Sequence, residues 1–148
     1  MRAVVTRVTS ASVRIAGETV GEIGTGYLIL LGVGPEDTEN AARKLADKIC
    51  NLRIFEDENG KMNRNLEQAN GAILTVSQFT LYADTSSRRP GFSRAAKPEL
   101  AQPLYEYFMQ CCRERGFRVE HGEFGADMRV SSVNDGPVTI LLDTERDK

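Results

Sequence analysis

The sequence of 148 residues lacks the features that most readily indicate a catalytic or metal-binding chemistry. It contains one histidine, His121, and three cysteines, Cys50, Cys111 and Cys112. An odd number of cysteines, two of them adjacent, is a poor framework for disulfides, and no Cys-x-x-Cys pair indicates a zinc site. We therefore expect free thiols, no metal or other cofactor, and a reducing compartment, which is the cytoplasm.

Long apolar runs and an excess of one charge are also missing. No run approaches the roughly 20 residues of a membrane span, and the first residues enter a strand pattern without a secretory signal. We therefore expect no membrane partner. The 19 basic and 21 acidic residues give a net charge of -2. This balance argues against a protein that coats DNA or RNA through bulk charge, but it is compatible with a local basic patch.

Strand patterns dominate much of the chain. Apolar and polar residues alternate over residues 12–16, and a turn leads into residues 19–23, which predicts a hairpin. The runs at residues 27–33, 72–76 and 138–142 are apolar without alternation. Such runs are typical of strands that are covered on both faces.

Two segments have the spacing of amphipathic helices. In the first, which Thr38 can cap, one stripe contains the apolar residues Ala42, Leu45, Ala46, Ile49 and Leu52. The second runs from about Lys97 to Arg115, and Gly116 is suited to end it. We predict an α+β fold: a single domain over residues 1–148, with a mostly antiparallel, barrel-like sheet packed with two main helices. We expect residues 144–148 to be frayed.

The segment at residues 75–80 is the strongest candidate for chemistry. An apolar strand there changes into Ser77, Gln78 and Thr80. Hydroxyl, amide and free backbone N–H groups at a strand end can hold a carbonyl oxygen as it becomes an oxyanion. The alternative is that these side chains only satisfy the nearby backbone.

No residue pattern supplies an acid–base apparatus for this segment. Ser77 or Thr80 would need an activating base to act as a nucleophile. His121 is far along the chain and lies beside a glycine, and Asp127 and Asp135 carry no signature of paired carboxylates. A catalytic triad is therefore not predicted.

Two further segments admit either a structural or a functional interpretation. Gly136-Pro137 is an ordinary turn by composition, yet a glycine permits close approach and a proline fixes the direction of a carbonyl group. Arg88 and Arg89 precede Phe92 in a loop that can hold phosphates and stack on a base, or can simply be solvated.

Six segments, taken in order, resemble the D-tyrosyl-tRNA deacylase family, which is also described as the D-aminoacyl-tRNA deacylases. The resemblance covers residues 1 to about 142. Its markers are Arg7-Val8 with Ala11-Ser12-Val13, Gly60-Lys61-Met62-Asn63, Ser77-Gln78-Phe79-Thr80-Leu81, Arg89-Pro90-Gly91-Phe92-Ser93, Gly122-Glu123-Phe124-Gly125-Ala126-Asp127-Met128, and Asn134-Asp135-Gly136-Pro137-Val138-Thr139.

The resemblance implies an enzyme that releases D-amino acids from D-aminoacyl-tRNA by ester hydrolysis, without a metal. It implies a homodimer with the active site at the interface, where Ser77, Gln78, Phe79 and Thr80 line the pocket of one subunit. The 2′-hydroxyl of the terminal adenosine would take part in catalysis. This assistance would explain why the chain has no acid–base apparatus of its own. An aminoacyl ester is also already labile, so orienting the reactants can be sufficient.

The resemblance also implies that Gly136-Pro137 of the other subunit projects into that pocket. This peptide bond would be cis, and its two carbonyl oxygens would exclude an L-side chain while a D-residue presents hydrogen there. Selection of this kind works by repulsion of the wrong substrate, so glycine on tRNA would also be accepted. We assign tRNA contacts to Arg7, Arg88, Arg89 and Phe92, and we expect no DNA partner.

Two other functions remain open at this point. An RNA-binding module that lacks turnover would account for the arginine loop and for the missing histidine apparatus. A hydrolase of another ester, with Thr80 as nucleophile, would require an acyl-enzyme.

Overall fold

The central element of the fold is a long first strand that pairs along both of its edges. The computed structural model describes residues 1–147, in which a short 3-10 turn (Phe79–Tyr82) follows the sixth strand. The elements in chain order are β1 (Arg2–Ile15), β2 (Glu18–Ile23), β3 (Gly26–Gly32), α1 (Glu39–Asn51), β4 (Phe55–Glu56), β5 (Met62–Arg64), β6 (Ala72–Ser77), α2 (Pro98–Glu114), β7 (Val119–His121) and β8 (Arg129–Asp143).

The main sheet is mixed, with three antiparallel and two parallel strand pairs among the described residues. β1 is antiparallel to β2, β3 and β8, whereas β3 with β6 and β6 with β7 are parallel pairs. The predicted antiparallel character holds around β1 and fails beyond β3. The reason is that α1 and α2 lie in the connections that lead to β6 and to β7, and crossovers of this kind produce parallel neighbours.

The sheet curls until it is nearly closed, as the predicted barrel-like shape requires. β2 contacts β7 at the far side of the sheet. A Cβ atom placed on Gly21 of β2 would lie 2.8 Å from the backbone oxygen of His121 in β7. The two backbones therefore touch where the curled sheet meets itself.

The two predicted helices are present and cover one face of this sheet. The Thr38 hydroxyl accepts a hydrogen bond from the Ala41 N–H at the start of α1, and the buried stripe of α1 contains Ala42, Leu45, Ala46, Ile49 and Cys50. The larger core lies between the helices and the sheet, and a smaller one fills the other face. Among the described residues, neither helix has the length and apolar composition needed to cross a membrane.

The chain ends meet beside β1. Arg2 pairs with Asp143, and the Thr144 N–H donates to the Met1 carbonyl oxygen at 2.9 Å. The N-terminal ammonium group donates to the Thr144 hydroxyl and to an Asp37 carboxylate oxygen, both at 2.8 Å. Thr144 is therefore held by the first residue, because the pairing of β1 with β8 brings it there, and the Asp147 N–H donates to the Asp143 carbonyl oxygen at 2.8 Å. Fraying of the residues beyond Thr144 stays a prediction. Lys148 lies outside the described residues.

We predict that Gly26→Ala destabilises the protein by about 3 kcal/mol or more, because the substitution forces backbone to move. Gly26 has φ +154°, and a Cβ atom there would lie 1.9 Å from the Ala72 carbonyl oxygen, where β3 meets β6. Gly60→Ala is the control, since Gly60 has φ +75° and open space around it. It should cost only the ~1–2 kcal/mol of a left-handed alanine. Urea unfolding measures both free energies, and equal losses would contradict the prediction.

Candidate active site

A deep cavity lies where the ends of β3 and β6 meet the start of α2. Its volume is about 600 Å³. Its wall is mostly apolar and is completed by the segment that leads into β8. The lining residues are Leu31, Val33, Val76, Ser77, Gln78, Phe79, Phe92, Ala95, Ala96, Lys97, Pro98, Ala101, Phe124, Gly125, Ala126, Met128 and Val130.

The end of β6 places three of the predicted catalytic residues in this cavity. Ser77 is the last residue of β6 and pairs with Leu31 of β3. The Gln78 N–H still donates to the Leu31 carbonyl oxygen at 2.8 Å, and the Leu81 N–H then closes a turn on the Gln78 carbonyl oxygen at 3.2 Å. The chain therefore leaves the sheet at Gln78, and Ser77, Gln78 and Phe79 face the cavity.

Thr80 lies beside the cavity and does not line it. Its hydroxyl oxygen accepts a hydrogen bond from the side-chain amide of Gln78. The backbone N–H of Phe79, at the start of the turn, has no hydrogen-bond acceptor among residues 1–147. Thr80 is thus placed to orient Gln78, while the Phe79 N–H remains available to a ligand.

Two exposed aromatic rings stand at the rim of the cavity. Phe79 is 54% exposed and Phe92 is 40% exposed. Their ring centroids are 5.2 Å apart at an interplanar angle of 73°, which is an edge-to-face contact. Exposed faces of this kind can stack on a planar heterocycle.

The loop that carries Phe92 is held by a short backbone bridge. Asp84 and Gly91 exchange two N–H to carbonyl bonds at 2.7 and 2.9 Å. The Ser86 N–H donates to the Asp84 carboxylate and holds the pKa of that group below its usual range. The bridge places Phe92 at the cavity, whereas Arg88 and Arg89 are exposed on the loop and do not line the cavity.

Gly136 and Pro137 form a bulge in the pairing between β1 and β8. Thr139 pairs with Thr6 and Asn134 pairs with Val8, so the four residues between them in β8 face Arg7 alone. The Asn134 side chain spans the bulge, since its amide donates to the Thr139 hydroxyl and its oxygen accepts from the Val138 N–H, both at 3.1 Å. The Gly136–Pro137 peptide bond is cis, and both residues are exposed.

Arg7 supports this bulge from within the protein. Its side chain is 4% exposed, and it donates to the backbone oxygens of Ile54 at 2.7 Å and Asp135 at 3.2 Å. The Asp135 carboxylate lies 3.3 Å away and the Glu56 carboxylate 3.8 Å away. This burial argues against the predicted contact between Arg7 and RNA, because the guanidinium group is already occupied by protein oxygens.

The bulge and the cavity are separate within one chain. Neither Gly136 nor Pro137 lines the cavity. Arg7, opposite the bulge, pairs with Tyr27 of β3, whereas Ser77 pairs with Leu31. Tyr27 and Leu31 are four residues apart along β3, which corresponds to a distance of about 13 Å. The structure therefore brings Ser77, Gln78, Phe79 and Phe92 together and leaves Gly136, Pro137, Arg7, Arg88 and Arg89 outside the group.

Several lining residues were not predicted from the sequence as site residues. Phe124 and Met128 belong to a recognised motif, but nothing in their spacing shows that the curled sheet carries them to the end of β6. Lys97 was assigned only to a helix start. Among residues 1–147, no cluster of three or more His, Cys, Asp or Glu side chains is arranged to hold a metal ion.

Comparison with known proteins identifies one family. Residues 4–143 match the family described as D-Tyr-tRNA(Tyr) deacylase. The chain is 58% identical over 147 residues to a D-aminoacyl-tRNA deacylase of Symbiobacterium thermophilum, covering 99% of this chain and 97% of that protein. It is 59% identical over 143 residues to a protein of the same name from Erwinia tasmaniensis, covering 96% and 99%.

Two solved structures share the fold. A protein described as c-Myc DNA Unwinding Element Binding Protein superposes with a TM-score of 0.91 at 43% identity, covering 97% of this chain and 98% of that one. A probable eukaryotic D-amino acid tRNA deacylase superposes with a TM-score of 0.84 at 18% identity, covering 95% and 97%. The second likeness, at that identity, concerns the fold alone.

We predict that Arg7→Met lowers the free energy of unfolding by about 2–4 kcal/mol, because two backbone oxygens lose a charged donor and Asp135 loses its cation. Arg129→Met is the matched control, since Arg129 and its partner Asp127 are 77% and 90% exposed. The control should change stability by no more than about 0.5 kcal/mol. Urea unfolding of both variants decides the matter, and similar losses would show that Arg7 does not support the bulge.

Proposed function

This chain belongs to the D-Tyr-tRNA(Tyr) deacylase family, and we propose that it hydrolyses the ester bond between a D-amino acid and the 3′ end of tRNA. The products are the free D-amino acid and tRNA. The observation that carries the proposal within the structure is the end of β6. There, Ser77, Gln78 and the unpaired Phe79 N–H face a cavity of about 600 Å³, large enough for an aminoacyl-adenosine group.

The chemistry required of these residues is modest, because an aminoacyl ester is already activated. Water adds to the carbonyl carbon and forms a tetrahedral oxyanion. The ester C–O bond then breaks, and a proton from the attacking water passes to the ribose oxygen that leaves. The Phe79 N–H is suited to stabilise the oxyanion, and Ser77 and Gln78 are suited to orient the ester and the water. Thr80 contributes by holding the Gln78 amide.

The general base in this proposal comes from the substrate. The residues that line the cavity include no histidine, aspartate or glutamate. The 2′-hydroxyl of the terminal adenosine lies next to the ester in the substrate itself, where it can assist proton transfer without a side chain. No metal or other cofactor has a role in this mechanism.

The partner in this proposal is the 3′ end of an aminoacylated tRNA in the cytoplasm. Phe79 and Phe92 offer ring faces at the rim for a nucleotide base. Arg88 and Arg89 extend from the same loop, where they can meet the phosphates of the acceptor end. Arg7 is assigned to support of the bulge instead, because it is buried against protein oxygens.

Chiral selection in this proposal is supplied by a second copy of the chain. The Gly136–Pro137 bulge is exposed, is held by Arg7 and Asn134, and does not line its own cavity. β8 pairs with β1 alone in the described chain, and it exposes Val133 and Leu141 at 56% and 54%. A homodimer formed through this region would cover those side chains and carry the bulge into the other subunit's cavity.

The bulge selects by exclusion. Its two carbonyl oxygens face the aminoacyl group in the partner's cavity, where an L-side chain would collide with them and a D-residue presents only hydrogen. The bulge thus acts as a gate for the aminoacyl group. Glycine has no side chain to collide with it, so glycyl-tRNA is also a substrate in this proposal.

We predict that the purified protein releases tyrosine from D-Tyr-tRNA about 100-fold faster than from L-Tyr-tRNA, because the gate rejects a whole side chain. Release of labelled amino acid over time measures both rates. Equal hydrolysis of the two esters would contradict the gate. Retention of tRNA without hydrolysis of either ester would indicate an RNA-binding module instead of an enzyme.

We predict that a mixed dimer of Gln78→Ala and Gly136→Ala subunits hydrolyses D-Tyr-tRNA but not L-Tyr-tRNA. The Gln78→Ala dimer should be slow on both esters, and the Gly136→Ala dimer should lose its preference for the D-ester. If the gate acts in trans, the one site with an intact pocket also has an intact bulge, so D-selective activity should reach about half of the wild-type value. The dimer is isolated with a different affinity tag on each subunit and assayed on both esters. An unselective mixed dimer would place the gate in its own subunit, and failure to isolate one would overturn the homodimer.

A further inference from the structure

The proposed catalytic cavity contains one charged side chain. That side chain belongs to Lys97, and the remaining lining residues are apolar, amide or hydroxyl residues. A single cation in a wall of this kind acts without competition from a nearby carboxylate in the same cavity. The positive charge of Lys97 therefore favours a ligand that places a negative group near it.

The backbone of Lys97 is held firmly at the cavity wall. The Ala96 N–H donates to the Val33 carbonyl oxygen at 2.9 Å, which ties this segment to the end of β3. The Lys97 carbonyl oxygen accepts from the Leu100 and Ala101 N–H groups, at 3.0 and 2.9 Å, as α2 begins. Its side chain is exposed.

The Lys97 ammonium group is also free of ion pairs with any residue from 1 to 147. By contrast, Arg94 of the neighbouring loop lies 3.9 Å from Asp84, and Arg129 lies 3.2 Å from Asp127. The acid closest to Lys97 in sequence is Glu99, and it does not line the cavity. Lys97 therefore presents an uncompensated charge to whatever occupies the site.

The charges of the proposed substrate determine where this cation is useful. The aminoacyl end carries an α-ammonium group, whose pKa in reference compounds is about 8, and it would be repelled by a lysine. The adenosine is neutral. The nearest anion to the ester is the phosphodiester that joins the terminal adenosine to the preceding nucleotide, and it is the group that a lysine binds as a point charge.

We propose that Lys97 binds this last phosphodiester and thereby sets the orientation in which the 3′ end enters the cavity. The inference rests on the proposed function and deepens it, because it assigns the nucleotide side of the cavity to the start of α2. The ester then lies toward the end of β6, at Gln78 and Phe79. The charge of Lys97 favours this orientation over the reverse one, which would bring the α-ammonium group to the lysine.

Two small substrates test the assignment directly. The D-tyrosyl ester of adenosine has no phosphate, and the D-tyrosyl ester of the dinucleotide cytidylyl-adenosine has one phosphodiester. For the wild-type protein, KM should be roughly two- to fivefold lower for the dinucleotide ester, the range expected of one exposed ion pair. Lys97→Gln should abolish that difference without changing kcat, and Lys97→Arg should largely keep it.

The dependence on salt provides a second readout. For the wild-type protein, a plot of the logarithm of kcat/KM for the dinucleotide ester against the logarithm of salt concentration should slope downward, because salt screens the attraction between an exposed ammonium group and a phosphodiester. Lys97→Gln should flatten this slope. Lys44→Gln is the control, because Lys44 lies on α1 at a different cavity, and it should behave as wild type in both measurements.

The outcomes separate this inference from the proposed function. If Lys97→Gln keeps the wild-type preference for the dinucleotide ester, or raises KM equally for both esters, the assignment of the phosphodiester to Lys97 is wrong while the deacylase activity stands. If the wild-type protein hydrolyses neither ester nor D-Tyr-tRNA, the proposed function fails and this inference fails with it.

Discussion

The antiparallel pairing of β1 with β8 is the interaction on which the rest of the structure depends. It brings Met1 and Thr144 together, so that these two residues hydrogen-bond to each other. It also leaves the opposite edge of β1 to β2 and β3, from which the remaining strands are added. Where this pairing is interrupted, opposite Arg7, the Gly136–Pro137 bulge leaves the sheet. The pairing of β1 with β8 thus organises the sheet and also contains the bulge that leaves it.

The interruption is stabilised by polar groups on both of its sides. Arg7 is buried beneath the bulge and donates to the backbone of Asp135, while the Asn134 side chain spans the residues that lack partners. A buried guanidinium group needs acceptors, and a strand bulge leaves backbone oxygens free, so each supplies what the other lacks. The proposed gate is therefore built from backbone that a charged side chain holds in place, which suits a function that requires rejection rather than reaction.

The cavity at the end of β6 differs from the bulge in that few polar groups line it. Its wall is largely apolar, its polar groups are confined to the strand end, and its one cation is at the start of α2. In the function that we propose, the Phe79 N–H stabilises the oxyanion and the Lys97 ammonium group binds a phosphodiester. The chemistry of that proposal can be limited to orientation, because an aminoacyl ester is already labile.

Much of this could be predicted from local patterns in the sequence. The stripe from Ala42 to Ile49 indicates a helix because buried residues recur at helical spacing, and the change from Val76 to Ser77 marks a strand end because apolar residues give way to polar ones. The ordered motifs indicated the family, which the comparisons confirm. The burial of Arg7 could not be predicted in this way, because a charged residue on an alternating strand is typical of an exposed position.

The sequence by itself therefore determined the helices, most strands, the end of β6 and the family, since each depends on residues that are close together along the chain. The tertiary structure alone decided that the sheet is mixed, because pairing direction depends on how each crossover packs. It also decided that Phe124, Met128 and Lys97 share a cavity with Ser77, and that Gly136 and Pro137 do not. Those relations depend on the curl of the sheet and on strand register, which are set by contacts between residues far apart in the sequence.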